Sequence, residues 1–169
     1  IIDSEKAMTM PKQPKKMVIV GAGAIGVEFA YFYNTLGTEV VLVELQKTLV
    51  PIEDKDVGRE LGKIYKKKGM TVLTESTVEK VEKKGNGVLV TIKTKKGEEK
   101  IDADVVLSAV GVTGNVEGIG LEDLGVKIER GAIVVDTSTY STGIGDIYAI
   151  GDIIGAPWLA HKASHEATV

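Results

Sequence analysis

What most restricts this chain is Gly21-x-Gly23-x-x-Gly26, because of the residues that flank it. Ahead of it stands Met17-Val18-Ile19-Val20, a short apolar run with the signature of a strand buried on both faces. Behind it, Ile25, Phe29, Phe32 and Leu36 recur at helical spacing, and Gly37 falls where a left-handed C-terminal cap belongs. Glu39-Val40-Val41-Leu42-Val43-Glu44 then reads as a second buried strand. A strand, a glycine turn opening a helix, and a second strand ending in an acid about twenty residues on is the order a dinucleotide-binding unit requires.

Each residue of the turn has a physical task in that reading. Gly21 makes the tight turn, Gly23 lets the backbone approach a pyrophosphate, and Gly26 lets helix and strand pack closely. The phosphates would then lie on the helix N-terminus, where free N–H groups and the positive end of the helix dipole favour an anion without a lysine in the loop. The Gly-Lys-Ser/Thr ending of a P-loop is missing, so nucleoside triphosphate hydrolysis is not indicated. Glu44 selects the cofactor: its carboxylate accepts hydrogen bonds from a free ribose 2′-OH and repels a 2′-phosphate. NAD is therefore expected over NADP. Lys47 is the one nearby cation, and no arginine stands ready for a 2′-phosphate.

Further along, Glu53 to Lys68 predicts a helix with acids in its first turn, Val57, Leu61 and Ile64 on one stripe, and Lys66, Lys67 and Lys68 ahead of Gly69. Thr71-Val72-Leu73 is a third strand. The period then falls to two, with Val88, Val90 and Ile92 alternating after Asn86-Gly87 and a further turn at Lys96-Gly97, which predicts an antiparallel meander with a solvated, charged face. Val105 to Val110 restores a buried strand, and Ile133-Val134-Val135 and Ile147-Tyr148-Ala149-Ile150 read as two more. The fold class is α/β: a Rossmann-like, doubly wound parallel sheet in which an antiparallel β-meander replaces a crossover helix.

Charge and composition narrow the function. Twenty-one basic against 24 acidic residues give a net charge of -3, with no footprint for nucleic acid or an anionic membrane. No apolar run approaches the roughly 20 residues needed to cross a bilayer. There is no cysteine, hence no disulfide, thiolate metal site or redox pair within these 169 residues. His161 and His165 stand four apart with no third ligand evident, so no metal site is expected, and no residue is assigned a catalytic role.

The other informative stretch is Ile147-Tyr148-Ala149-Ile150-Gly151-Asp152, since a Gly-Asp at a strand end can hydrogen-bond a sugar or ribityl hydroxyl. By itself Gly-Asp is commonly just a turn. Together with Gly21-Ala22-Gly23-Ala24-Ile25-Gly26-Val27-Glu28, however, it resembles the pyridine-nucleotide disulfide oxidoreductases, in which the nicotinamide domain is followed by a Tyr-Ala-Ile-Gly-Asp segment returning to the flavin domain. Trp158-Leu159-Ala160-His161-Lys162-Ala163 is similar to the Leu-Ala-His-Lys-Ala run of the dihydrolipoamide dehydrogenase branch. The resemblance covers essentially the whole chain. Two departures are Gly111-Val112 in place of the usual Gly-Arg, and Gly145-Asp146 where a proline commonly stands.

The resemblance implies that Gly21 through Glu28, with Glu44, contact NAD, that Val78 lies near the adenine and Gly111 against the bound nucleotide, that Asp152 contacts the ribityl chain of FAD, and that Trp158, Leu159, Ala160 and His161 line the flavin pocket. It also implies a division into an interdomain linker (1–15), an NAD(H)-binding domain (16–138) and a segment of a FAD domain (139–169), all part of a longer protein. In such a protein a lipoyl-bearing dithiol reduces a cysteine pair, electrons pass to FAD, and hydride moves to NAD+. A homodimer in a bacterial cytoplasm or mitochondrial matrix is expected for the whole, and no turnover for the 169 residues alone. A related NADH oxidase, mercuric reductase or transhydrogenase, and a non-catalytic nucleotide-binding module, remain open.

Overall fold

The computed structural model describes all residues, 1–169. They form two compact units, Ile1–Gly111 and Val112–Val169. This division by compactness falls at a different position from the 138/139 boundary expected from the motifs.

In the first unit the elements run α1 (Ser4–Met8), β1 (Lys16–Val20), α2 (Ala24–Thr35), β2 (Glu39–Val43), α3 (Lys55–Lys67), β3 (Thr71–Leu73), β4 (Thr77–Lys84), β5 (Gly87–Thr94), β6 (Gly97–Ala103) and β7 (Val105–Ser108). Four of the strands form a parallel sheet in the order β3-β2-β1-β7, with Ile19 opposite Leu42 on one side and Leu107 on the other. Successive side chains of a strand point to opposite faces, and here both faces are apolar. Met17, Ile19, Val40, Leu42 and Leu107 join one core with α2 and α3. Val18, Val41, Val43 and Val106 join the other, with Val90, Ile92 and Ala103 of the meander. This is why the strands read as continuous apolar runs and not as alternations. Each such fully buried side chain, Leu42 for one, stabilises the unit by about 1.5–3 kcal/mol.

The meander β4-β5-β6 occupies the connection between β3 and β7, where a crossover helix would otherwise run. Its inward residues, Val90 and Ile92, are fully buried, and Val78, Val81 and Ile101 pack around them. The outward lysines pair with carboxylates at the surface, as in Lys84–Asp102 at 2.7 Å and Lys80–Glu82 at 2.7 Å.

Within residues 1–15, Asp3 caps α1 by accepting from the Lys6 amide at 2.9 Å, Ile2 bridges to Leu107, and Ala7 is buried. Two local expectations need correction. On α2 the face turned to the sheet is Gly26, Val27, Ala30 and Tyr33, whereas Phe32 and Leu36 are 52% and 53% exposed. Ile25 and Phe29 of the apolar stripe are half-buried against the same core, so only its C-terminal half, Phe32 and Leu36, turns outward. On α3 the buried positions are Gly58 and Tyr65, Leu61 is half-buried, and Val57 and Ile64 are exposed. At the inward position 58 only glycine fits, since a Cβ there would lie 2.2 Å from the Leu49 carbonyl oxygen.

The second unit is built from short pieces: β8 (Ile128–Glu129) and β9 (Ala132–Ile133), joined through Arg130 and Gly131 at φ 52° and 75°, a 3-10 turn (Gly151–Ile154) and α4 (Ala160–Glu166). Val116, Val126, Ile133 and Ala149 form its core. Of the expected strand 133–135 only Ile133 pairs in a ladder, and of 147–150 only Tyr148 bridges, to Ser141. The left-handed Tyr140, Gly143 and Gly145 fold this stretch into tight turns, so its backbone bonds, such as Thr142 N–H to Ile147 C=O at 3.0 Å, close locally and do not extend into a sheet.

Candidate functional site

Strand β1 ends at Val20, and the chain reverses at Gly21, which lies at φ +94°. A Cβ on Gly21 would sit 2.4 Å from the Ala109 carbonyl oxygen, and one on Gly26 would sit 1.9 Å from the Gly21 carbonyl oxygen. Both positions are therefore closed to any other residue by backbone atoms. Gly23 is different in kind: it caps α2 in an extended conformation, and a Cβ there would meet nothing within 4 Å. The first helical bond is donated by Val27 to Gly23. The amides of Ala24, Ile25 and Gly26 have no intrahelical acceptor. The turn thus presents a row of N–H groups with open space over Gly23, a cradle that fits a pyrophosphate.

Glu44 follows the last residue of β2 and is only 7% exposed. Its Oε2 accepts from the Ala22 amide at 2.7 Å and its Oε1 from the Gln46 amide at 2.7 Å. Ala22 is held from its other side as well, its carbonyl accepting from Val50 N–H at 2.8 Å. Val50 is at φ 43°, a costly conformation for a β-branched residue. The glycine turn and the loop after β2 are accordingly one hydrogen-bonded body. The loop into β4 joins it: Ser76 N–H donates to the Glu44 carbonyl and Glu75 N–H to that of Gln46, both at 3.0 Å. Val78, two residues on, is half-buried against the second core. Gly111, at φ 134°, is exposed past the end of β7, where Ala109 N–H bonds the Val20 carbonyl. Gly21 to Gly26, Glu44, Val78 and Gly111 therefore all lie toward the C-terminal end of the parallel sheet, where open α/β sheets bind ligands.

Glu28 is exposed on α2. Burial, and after it the charge of Glu28, hold the Tyr65 hydroxyl above its usual pKa. That hydroxyl donates to the Val27 carbonyl at 2.7 Å, tying α3 to the first turns of α2.

In the second unit Gly151 lies at φ +76° and opens the 3-10 turn that carries Asp152 outward. Trp158, Leu159, Ala160 and His161 are exposed. The Gly151 amide donates to Glu166 Oε2 at 2.7 Å, and Glu166 Oε1 lies 2.7 Å from Lys162 Nζ. The Lys162 bond holds the Glu166 carboxyl below its ordinary value, with the Gly151 amide adding to it. No group of three or more His, Cys, Asp and Glu side chains is arranged to hold a metal ion.

Sequence reasoning missed Gln46, Val50, Ser76 and Glu166. Backbone donors carry no sequence signature, so the first three left no trace. The i, i+4 spacing of Lys162 and Glu166 was the one available signal for the fourth.

The family model for pyridine nucleotide-disulphide oxidoreductases matches residues 1–167. The chain belongs to that family. Curated relatives include the dihydrolipoyl dehydrogenases of Rhizobium etli, 45% identical over 92% of this chain and 32% of that protein, and of Zymomonas mobilis, 42% identical over 96% and 35%. The chain thus spans about a third of the length of these relatives. Among solved structures, LpdA of Mycobacterium tuberculosis superimposes with a TM-score of 0.85 at 29% identity, covering 98% of this chain and 36% of that one. The flavoprotein disulfide reductase RclA of Escherichia coli superimposes with a TM-score of 0.88 at 25% identity over 99% and 38%. Pyridine nucleotide-disulphide oxidoreductases use FAD and NAD. No helix of the chain is long and apolar enough to cross a membrane.

Proposed function

We propose that this chain is the NAD(H)-binding part of a FAD-dependent dihydrolipoyl dehydrogenase. The observation that carries the reading is the body formed by the glycine turn and Glu44: three free amides at the head of α2, open space over Gly23, and a carboxylate fixed beside them by two backbone bonds of 2.7 Å. The amides would take the pyrophosphate. Each Glu44 oxygen keeps a lone pair for a ribose hydroxyl, and the charge disfavours a 2′-phosphate. Val78 and Gly111 would flank the nucleotide, with Glu28 toward its nicotinamide end.

In the second unit Asp152 would accept from a ribityl hydroxyl of FAD, and Trp158 to His161 would line the flavin pocket. When bound, the flavin supplies two-electron transfer between a dithiol and the nicotinamide. The substrate would be dihydrolipoamide, in a homodimeric protein of the bacterial cytoplasm, with residues 1–15 linking domains, 16–138 binding NAD(H) and 139–169 belonging to the flavin domain. Without cysteine, the 169 residues alone turn over no dihydrolipoamide.

Titration of the purified chain with NADH and NADPH, followed by ligand fluorescence, tests the nucleotide reading. NADH is expected to bind at least ten-fold more tightly. Loss of the charged acceptor in Glu44→Ala should weaken NADH about ten- to hundred-fold, since hydrogen bonds to charged groups are worth about 1.5–3 kcal/mol. Equal affinity for the two nucleotides, or wild-type NADH affinity in the variant, would sink the assignment of Glu44.

A further inference from the structure

Asp152 does not hold its own position. The turn that carries it begins at Gly151, in the left-handed region at φ +76°, and a Cβ at Gly151 would lie 3.1 Å from the Ala163 Cβ, so α4 packs directly beneath the turn. From α4 the Glu166 side chain, 6% exposed, reaches back and takes the Gly151 amide at 2.7 Å. A carboxylate buried to that extent is costly unless it is paired and hydrogen-bonded. Lys162 supplies the pair at 2.7 Å, and its Nζ, itself buried, has no hydrogen-bond partner, so the ion pair with Glu166 is its compensation. The ammonium and the carboxylate thus compensate each other, and the second carboxylate oxygen is left for the peptide immediately ahead of Asp152. Ala22 and Glu44 of the first unit show the same device: a buried glutamate clamps the amide of a ligand-facing turn.

We propose that Glu166 is a positioning residue, which fixes the Gly151–Asp152 peptide so that the Asp152 carboxylate is presented outward in one orientation, with Lys162 holding Glu166 in place. The proposal rests on the reading of Asp152 as the acceptor for a flavin ribityl hydroxyl. Glu166 itself touches no ligand.

Amide exchange in the 169-residue chain, resolved by NMR, separates local positioning from general support. In Glu166→Ala the Gly151 amide should exchange at least ten-fold faster, while that of Ala149, bonded to the Tyr140 carbonyl at 3.0 Å, stays within about two-fold of wild type. Glu166→Gln, which keeps an acceptor oxygen, should restore most of the protection. If Glu166→Ala does not fold, Glu166→Asp keeps the charge, shortens the reach and should shift Gly151 in the same direction. Unchanged Gly151 exchange, or equal acceleration at Ala149, overturns the proposal. Titration with FAD, read by flavin fluorescence, adds the ligand arm. Weaker binding in both Asp152→Ala and Glu166→Ala supports positioning, and loss in Asp152→Ala alone overturns it. If Asp152→Ala leaves flavin affinity untouched, the reading of Asp152 fails, and the Gly151 exchange still decides what Glu166 does.

Discussion

The three glycines of the turn serve different ends, and substitution separates them. At Gly26 a methyl group would lie 1.9 Å from a backbone oxygen, and no rotamer relieves that. Gly26→Ala should therefore destabilise the first unit by about 2–4 kcal/mol, seen as a lower urea midpoint, with NADH binding lost as a consequence. At Gly23 a methyl group meets nothing and the backbone is already extended. Gly23→Ala replaces a favoured N-cap and should cost about 0.5–1.5 kcal/mol, less than Gly26→Ala, and still weaken NADH at least ten-fold, because the methyl fills the space a phosphate needs. Wild-type NADH affinity in Gly23→Ala would rule out the pyrophosphate cradle. These residues were legible in the sequence because glycine spacing states a steric demand directly. Glu44 was legible as an acid at the end of a strand, but its hold on the Ala22 and Gln46 amides was not, since any residue type supplies a backbone donor.

At the scale of elements, periodicity identified α2 and α3 and caught part of each inward face, Ile25, Phe29 and Leu61, but missed the residues that lie deepest. The stripe of Ile25, Phe29, Phe32 and Leu36 is real, yet the sheet is met by Gly26, Val27, Ala30 and Tyr33. A count of apolar residues overlooks Gly26, whose approach to the Gly21 carbonyl admits no side chain. Tyr65 shows the same bias: read as one more residue of a helix, it is buried and bonds the Val27 carbonyl. Tyr65→Phe should cost about 0.5–1.5 kcal/mol by urea denaturation. The hydroxyl has a further pH signature. Its pKa is raised from 10.0, chiefly by burial, so the folded state favours the neutral form. The associated stability is fully present below the unfolded value and is lost as pH climbs through the raised folded value. Tyr33 is displaced in the same direction by burial. The alkaline limb of stability against pH should thus be shallower in Tyr65→Phe and shallower again in Tyr33→Phe/Tyr65→Phe. An unchanged alkaline slope would mean that both hydroxyls ionise as freely in the folded chain as in the unfolded one.

Across the whole molecule the legible part and the illegible part follow the two compact units. Ile1–Gly111 has long buried strands whose apolar runs declare themselves, and the change of period from 3.6 to 2 marks the meander that takes the place of a helix. Val112–Val169 surrounds a small apolar core of Val116, Val126, Ile133 and Ala149 with left-handed glycines and two-residue strands, which are too short to impose a period on the sequence. The same division predicts where a nucleotide acts. Every residue assigned to NADH lies in Ile1–Gly111, so binding should stabilise that unit by mass action, about 2.7 kcal/mol at a hundred-fold excess over Kd. Hydrogen exchange of the NADH-bound chain should then slow by roughly a hundred-fold at amides that exchange only when the first unit opens, Ile19 and Leu42 of the sheet among them. Amides of Val112–Val169, Ala149 for one, should stay near their unliganded rates. Equal protection in both units would show that they open as one body, and protection confined to the second would move the nucleotide site away from the glycine turn altogether.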